Sequence, residues 1–391
     1  MKIYAVGGSV RDKLLGLPIQ DKDYVVVGAS EQTMKALGYQ PIGRDFPVFL
    51  HPTTHEEYAL ARTEKKVATG YGGFVFHVQP DVTLKEDLAR RDLTINAMAE
   101  DKNGVIIDPF GGQQDLSNKL LRHTSLAFVE DPVRVLRVAR FAARLNFTVH
   151  PSTLSLMKQI VASDEMTALV PERIWQELAK GLMEKYPLLL LSVLNQCGAL
   201  AILLPEIAKW YRATSQGFMP YQLKALDDAS ARNMSLAQRF AIVMHTFDIP
   251  IATLRTQIQA ISCRLKVPNF CQHLAIRCAD MIDLIRMIAS VDLSDILRFF
   301  QRIRAFQANS DITSLFEVCH SVLCASVLHN TGHDTGRHES IQLMQVLLQA
   351  AQNVDTACFV KERDTNTQNI ADAIFKARLK AMYQAKQGFL S

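Results

Sequence analysis

The feature that most constrains this chain is a change of hydrophobic period near residue 120. Before it, short β-branched runs alternate with turns, and Lys2–Val6, Tyr24–Val27, Val48–Leu50, Glu57–Ala61, Phe74–Val78 and Val105–Ile107 read as strands. Helical patterns at Val10–Leu15, Ser30–Leu37 and Leu84–Ala99 lie between them, which predicts a small α/β unit on a mixed sheet. After about Leu120 strand signals nearly vanish. Apolar residues then recur at helical spacing, as at Val135, Val138, Ala139 and Ala142, with breaks near Pro151, Pro171, Pro205, Pro250 and Pro268. The expected fold class is α+β: a head over 1–120, an all-α neck over 121–205, and an all-α body and tail over 206–391.

A chain of 391 residues is too long for one ordinary core, so roughly two to four compact units are expected. The hydrophobic share of 48% and charged share of 21% fit a soluble globular protein, and no apolar run approaches the ~20 residues that span a bilayer. The N-terminus, MKIYAVGGSVRD, reads as a structural strand rather than a signal peptide. All seven cysteines follow residue 196 and no CxxC pair occurs, which points to reduced core residues and a cytoplasmic protein. A net charge of +4 permits a nucleic-acid partner where basic residues cluster, without establishing one.

Chemistry-bearing residues concentrate in the head. Lys2–Val6 followed by Gly7-Gly8-Ser9-Val10-Arg11-Asp12 reads as strand, glycine turn, helix. Backbone N–H groups at such a turn approach anions closely, and Arg11 lies where a guanidinium reaches phosphate oxygens. Asp21-Lys22-Asp23 then enters the apolar run Tyr24–Val27. Positions i and i+2 of a strand share a face, so two carboxylates would project together, a set of hard oxygen ligands suited to Mg²⁺. In-line nucleotidyl transfer uses this arrangement: metal binding lowers the pKa of the attacking hydroxyl and stabilises the leaving pyrophosphate. Glu57 and Glu64 are both candidates for a third carboxylate.

These segments resemble the tRNA nucleotidyltransferase/poly(A) polymerase family of the polymerase β-like superfamily, and most of all its bacterial class II CCA-adding enzymes. The resemblance rests on GGSVRD (7–12), DKD (21–23), RRDLTINAMA (90–99), DPFGGQQDL (108–116) and EDPVRVLRVARF (130–141). It continues more loosely through PERIWQEL (171–178) and LNQCGAL (194–200) and is weak beyond about residue 210. It implies a polymerase β-like head, Mg²⁺ as cofactor, CTP and ATP as substrates and tRNA as partner, with no membrane or obligate protein partner. By resemblance Gly8 and Arg11 contact the triphosphate, Asp21 and Asp23 bind Mg²⁺, Arg91 binds the nucleotide and Asp92 its ribose.

The segment from Glu130 opens a helix on which Asp131, Arg134 and Arg137 fall at steps of three, followed by Arg140 with some drift. Cytosine and adenine each present an exocyclic amine beside an unprotonated ring nitrogen. A carboxylate accepts from the amine and a guanidinium donates to the ring nitrogen, whereas uracil and guanine mismatch both. Asp131 and Arg134 therefore suit selection of C and A without a template, a role the resemblance also implies, and Arg137 and Arg140 suit triphosphate or base. The plainer reading makes Asp131 an N-cap before Pro132 and the arginines a solvated face. Lys65–Phe74 reads as either a remodelling loop or a plain hairpin loop.

Class II relatives often carry a C-terminal HD phosphohydrolase domain. The corresponding segment here is FAIVMHTFDIP, with His245-Thr246 in place of His-Asp, so absence of that activity is expected. His329, His333, Asp334 and His338 read as a solvated loop rather than a metal site. The rivals to CCA addition are a poly(A) polymerase, a CC-only or A-only enzyme, and a non-catalytic tRNA-binding protein.

Overall fold

Val6 ends the first strand and Gly7 turns the chain sharply into the first helix, and the rest of the head is arranged around that corner. The computed structural model describes residues 1–19, 21–42, 48–66, 74–213, 221–247, 249–308, 310–327, 335–361 and 367–390. In the head, β1 (Lys2–Val6) leads into α1 (Gly8–Leu14), β2 (Asp23–Val27) and α2 (Glu31–Ala36), then β3 (Gln40–Pro41), β4 (Val48–Leu50) and β5 (Glu57–Leu60). A hairpin of β6 (Thr63–Lys66) and β7 (Phe74–His77) precedes α3 (Leu84–Ala89), β8 (Ala99–Glu100), β9 (Ile106–Ile107) and α4 (Gly112–Ser117). The main sheet has the order β3-β4-β5-β2-β1-β8-β9 and is mixed: β2 and β5 run parallel, while the other pairs run antiparallel. Val6, Val25, Leu88 and Ala99 pack on one face, and Val26, Met34, Phe49 and Leu60 on the other.

One predicted element is corrected. The helical pattern of Leu84–Ala99 stops at Ala89, and the chain turns through Arg90–Asp92 into a 3₁₀ turn (Thr94–Asn96) and then β8. The side chain of Asp92 accepts from the Leu93 N–H at 2.9 Å and from Asn96 at 3.0 Å, and pairing of Ala99 with Val6 extends the sheet. A local carboxylate and a sheet edge here offer the backbone better partners than another two turns of helix. The predicted loop Lys65–Phe74 is described only at its ends, because residues 67–73 lie outside the described residues.

The helical continuation starts at β10 (Leu120–Leu121), which pairs with β11 (Thr148–Val149) around α5 (Val133–Leu145). It proceeds through α6 (Pro151–Ala162), α7 (Pro171–Met183), α8 (Pro187–Gln196), α9 (Ala199–Leu203) and α10 (Pro205–Ala213), and α5 packs on α7 and α8. Proline opens α6, α7, α8 and α10, where its missing N–H costs no hydrogen bond. Residues 1–208 form one compact unit and 209–391 a second.

The second unit is all-helical: α11 (Tyr221–Ala231), α12 (Leu236–Met244), α13 (Ile251–Leu265), α14 (Asn269–Arg286), α15 (Leu293–Arg302), α16 (Ile312–Val327), α17 (Thr335–Gln352), α18 (Ala357–Lys361) and α19 (Thr367–Leu390). Helix α14 packs on α12, α13, α16 and α17, and α17 packs on α19. All seven cysteines are free thiols; Cys197, Cys271, Cys278 and Cys319 are buried as expected, whereas Cys263 and Cys358 are exposed. Among the described residues no helix is long and apolar enough to cross a membrane.

His245 and Thr246 are both buried just after α12. The imidazole Nδ1 lies 3.2 Å from the Tyr221 hydroxyl, and the ring meets Phe247 edge-on. Burial, with a lesser contribution from Arg286, pulls its pKa down to about 3. The unfolded chain therefore binds a proton below pH 6.5 that the folded unit refuses, so stability is full above that pH and falls as pH drops toward 3. At pH 5 this one group is expected to cost about 2 kcal/mol. Denaturant melts of the wild type and of His245→Gln check this: their difference in stability should shrink by about that amount between pH 7.5 and 5. A constant difference would show that the folded unit accepts the proton. His329, His333 and Asp334 lie outside the described residues, His338 is exposed on α17, and no group of three His, Cys, Asp or Glu residues able to hold a metal occurs among the described residues.

Candidate active site

Within the first unit, the glycine turn, the Arg90–Asp92 turn and two helices, α5 and α7, enclose a cavity of about 640 Å³. Its lining contains eight arginines and one lysine against four carboxylates, an excess of positive charge that suits a polyphosphate. Gly8, Arg11, Asp23, Arg91, Asp92, Asp131, Arg134, Arg137 and Arg140 all line it. Asp21 does not.

Gly7 has φ +72°, which L side chains rarely adopt, and a Cβ placed there would lie 2.8 Å from Nη1 of Arg91. The Arg91 guanidinium thus lies against the turn. It donates from Nη2 to Asp87 at 3.3 Å, and its Nε is buried without a hydrogen-bond partner. Arg11 is buried, and burial pulls its pKa down even though Asp12 stabilises its charge. It donates to Asp12 at 2.9 Å and to Asn96 at 2.6 Å, and Asp12 also accepts from Arg144 at 2.9 Å.

Strand β2 begins at Asp23, so the period-two argument applies to Asp23 but not to Asp21, which precedes the strand; both are exposed. Partial desolvation raises the Asp23 pKa, Arg91 opposes that, and the charge of Asp21 adds to it. In the sheet Asp23 is in register with Glu57 of β5, so both side chains leave the same face. Glu64 is engaged elsewhere, accepting from Arg90 at 2.6 Å and Arg62 at 3.0 Å. Carboxylates at the starts of two adjacent strands, β2 and β5, suit a divalent cation. Asp21 and Asp23 are the residues that would hold such a cation.

Asp92 is buried. Burial works to raise its pKa, yet Arg137 and the Asn96 amide prevail and hold the carboxyl well below its usual range. Nε of Arg137 donates to it at 2.8 Å, and Asp92 in turn raises the pKa of Arg137. Asp131, one residue before the N-cap Pro132, accepts from the Val133 N–H at 3.1 Å, so one carboxylate both steadies the start of α5 and lines the cavity. Arg134 does not pair with Asp131. Its guanidinium donates to the carbonyls of Ala127 at 2.8 Å and Arg90 at 2.6 Å, which leaves other N–H donors for a ligand.

Four lining residues of α7 carried no assignment in the sequence: Arg173, Gln176, Glu177 and Lys180. Arg173 pairs with Asp131 at 3.3 Å, and Glu177 accepts from Arg140 at 2.6 Å. Their i, i+3, i+4, i+7 spacing is a polar stripe, the signal that would have found them. Phe141 was also missed. The guanidinium carbons of Arg140, Arg11 and Arg137 lie 4.6, 5.1 and 5.6 Å from the centre of its buried ring, whose π-face offsets their mutual repulsion.

The profile of the poly A polymerase head domain matches residues 3–122, and that of the probable RNA- and SrmB-binding site of polymerase A matches residues 146–211. Two solved structures share the fold at 22% identity. The Thermotoga maritima CCA-adding enzyme complexed with tRNA has a TM-score of 0.66 over 100% of this chain and 90% of that one. The CCA-adding enzyme complexed with CTP has a TM-score of 0.67 over 97% and 87%. The multifunctional CCA protein of Burkholderia cenocepacia is 44% identical over 98% of this chain and 99% of its own length. With that identity maintained from end to end, the chain belongs to the family of the multifunctional CCA proteins.

Proposed function

We propose that this protein is a nucleotidyltransferase that builds and repairs the 3′-terminal CCA of tRNA, using CTP and ATP and releasing pyrophosphate. The observation that carries the reading is one cavity whose arginine-rich lining joins Asp23 and the glycine turn at one side to Asp131 and Arg134 at the other. The phosphates and the base of one nucleotide can therefore be held at once. The full-length likeness to a multifunctional CCA protein and the fold shared with tRNA- and CTP-bound CCA-adding enzymes support it.

In the reaction the tRNA 3′ oxygen bonds to the α-phosphorus as the bond to the β-phosphate oxygen breaks. Asp21 and Asp23 would hold Mg²⁺ together with phosphate oxygens of the nucleotide, and the ion would acidify the attacking hydroxyl and neutralise charge on the phosphates. Gly8, Arg11 and Arg91 hold the triphosphate, Arg137 and Arg140 frame it, and Asp92 orients the ribose. Asp131 accepts from the exocyclic amine of cytosine or adenine, and Arg134 donates to the neighbouring ring nitrogen. We place the protein in the cytoplasm, a reading supported by its free thiols. Phosphohydrolase activity is absent in this proposal: Thr246 supplies no anionic ligand, and His245 is buried beside aromatic rings with Arg286 opposing further positive charge.

The deciding experiment extends a tRNA transcript ending at the discriminator base, with Mg²⁺ and each nucleotide singly and together. Two additions with CTP alone and three with CTP plus ATP are expected. A long ladder with ATP would instead identify a poly(A) polymerase, and tight binding without extension a binding protein.

A further inference from the structure

Asp87 belongs to none of the segments that carried the sequence reading, and it does not line the cavity. Its side chain is 0% exposed and lies in the first turn of α3, where the helix dipole favours its negative charge but burial strips it of water. Such a carboxylate is costly to bury unless fully partnered. The partners are divided between its two oxygens. Oδ1 accepts from Arg90 Nε at 3.1 Å, Arg90 Nη2 at 2.9 Å and the Arg62 backbone N–H at 3.3 Å. Oδ2 accepts from Arg91 Nη2 at 3.3 Å. Arg90 is further anchored by Glu64 at 2.6 Å, so Arg91 is the partner whose place depends most on Asp87.

We propose that Asp87 is a positioning residue that holds the Arg91 guanidinium against the Gly7–Gly8 turn, where the nucleotide's triphosphate is taken up. The proposal rests on the reading of Arg91 as a triphosphate-binding residue. With Nη2 fixed by Asp87, the guanidinium is pinned with Nη1 beside the turn. Substrate binding then need not order a long side chain, which is a saving in rotamer entropy. The Arg90 carbonyl between the two arginines accepts from Arg134, so the same turn also anchors the base-selecting side of the cavity.

Asp87→Asn is the selective test, because the amide oxygen can keep the Arg90 bonds while the amide nitrogen faces Arg91 donor to donor. Kinetics of tRNA extension would be measured for the wild type, Asp87→Asn, Arg91→Ala and the double variant. Asp87→Asn should raise KM for CTP and ATP alike by about tenfold, with kcat changed less and UTP still rejected. The double variant should be no worse than Arg91→Ala. If the two losses multiply instead, Asp87 does not act through Arg91 and the proposal fails. If Arg91→Ala alone leaves KM unchanged, the triphosphate reading of Arg91 fails and the proposal with it. Should Asp87→Asn not unfold in a single transition, Asp87→Glu, which keeps the charge and displaces it by one methylene, runs the same cycle.

Discussion

Asp23→Ala lowers nucleotide addition by ~10³-fold or more while tRNA affinity stays within about twofold. The expectation follows from the place of the residue rather than from its charge alone. Asp23 opens β2 opposite Val6, the last residue before the glycine turn, and in register with Glu57. It is the carboxylate of the predicted pair that lines the cavity, where partial desolvation raises its pKa against the pull of Arg91. In the proposed reaction the substitution removes a carboxylate that would hold the divalent metal. tRNA affinity rests mainly on phosphate contacts and shape, which this substitution does not touch. Single-turnover extension at saturating CTP and Mg²⁺, with a filter-binding assay for tRNA, checks it. Turnover within tenfold of wild type would remove Asp23 from the chemistry.

The second large effect is on selection. Asp131→Ala should lower the rejection of UTP by ~10²-fold or more, with CTP addition falling less, because the acceptor for the exocyclic amine is lost. Asp131→Asn should admit UTP better still, since it places a donor where uracil presents a carbonyl. The structure adds a condition. Asp131 also accepts from the Val133 N–H and from Arg173, so its orientation is set jointly by the start of α5 and by α7. Parallel incorporation assays with CTP, ATP, UTP and GTP measure the ratios. Rejection of UTP unchanged in both variants would assign Asp131 to capping alone.

Much of the head was readable because its signals are local. Strand period, the Gly-Gly turn and prolines at helix starts act through neighbouring residues, and β1, β2, β4 and β5 match their predicted positions to within a residue. The same logic misplaced Leu84–Ala99, where the apolar spacing is helical but Asp92 and the edge of β1 compete for the backbone. Local spacing also placed Asp131 and Arg134 on one flank of a helix without showing that they find different partners, Arg173 for the first and two carbonyls for the second.

The sequence by itself determined which chemical groups this protein can offer a nucleotide: a glycine turn, paired aspartates and a row of arginines at the start of a helix. Which of them face the cavity, and which are spent holding others in place, was decided by the tertiary structure. Arg137 meets Asp92 across 45 residues, and Arg144 meets Asp12 across 132. An ion pair of that separation leaves no local periodicity behind. Its partners approach only after the sheet and helices have packed, and packing takes the carboxylates of Asp92 and Asp12 out of competing water, where the contact gains its strength.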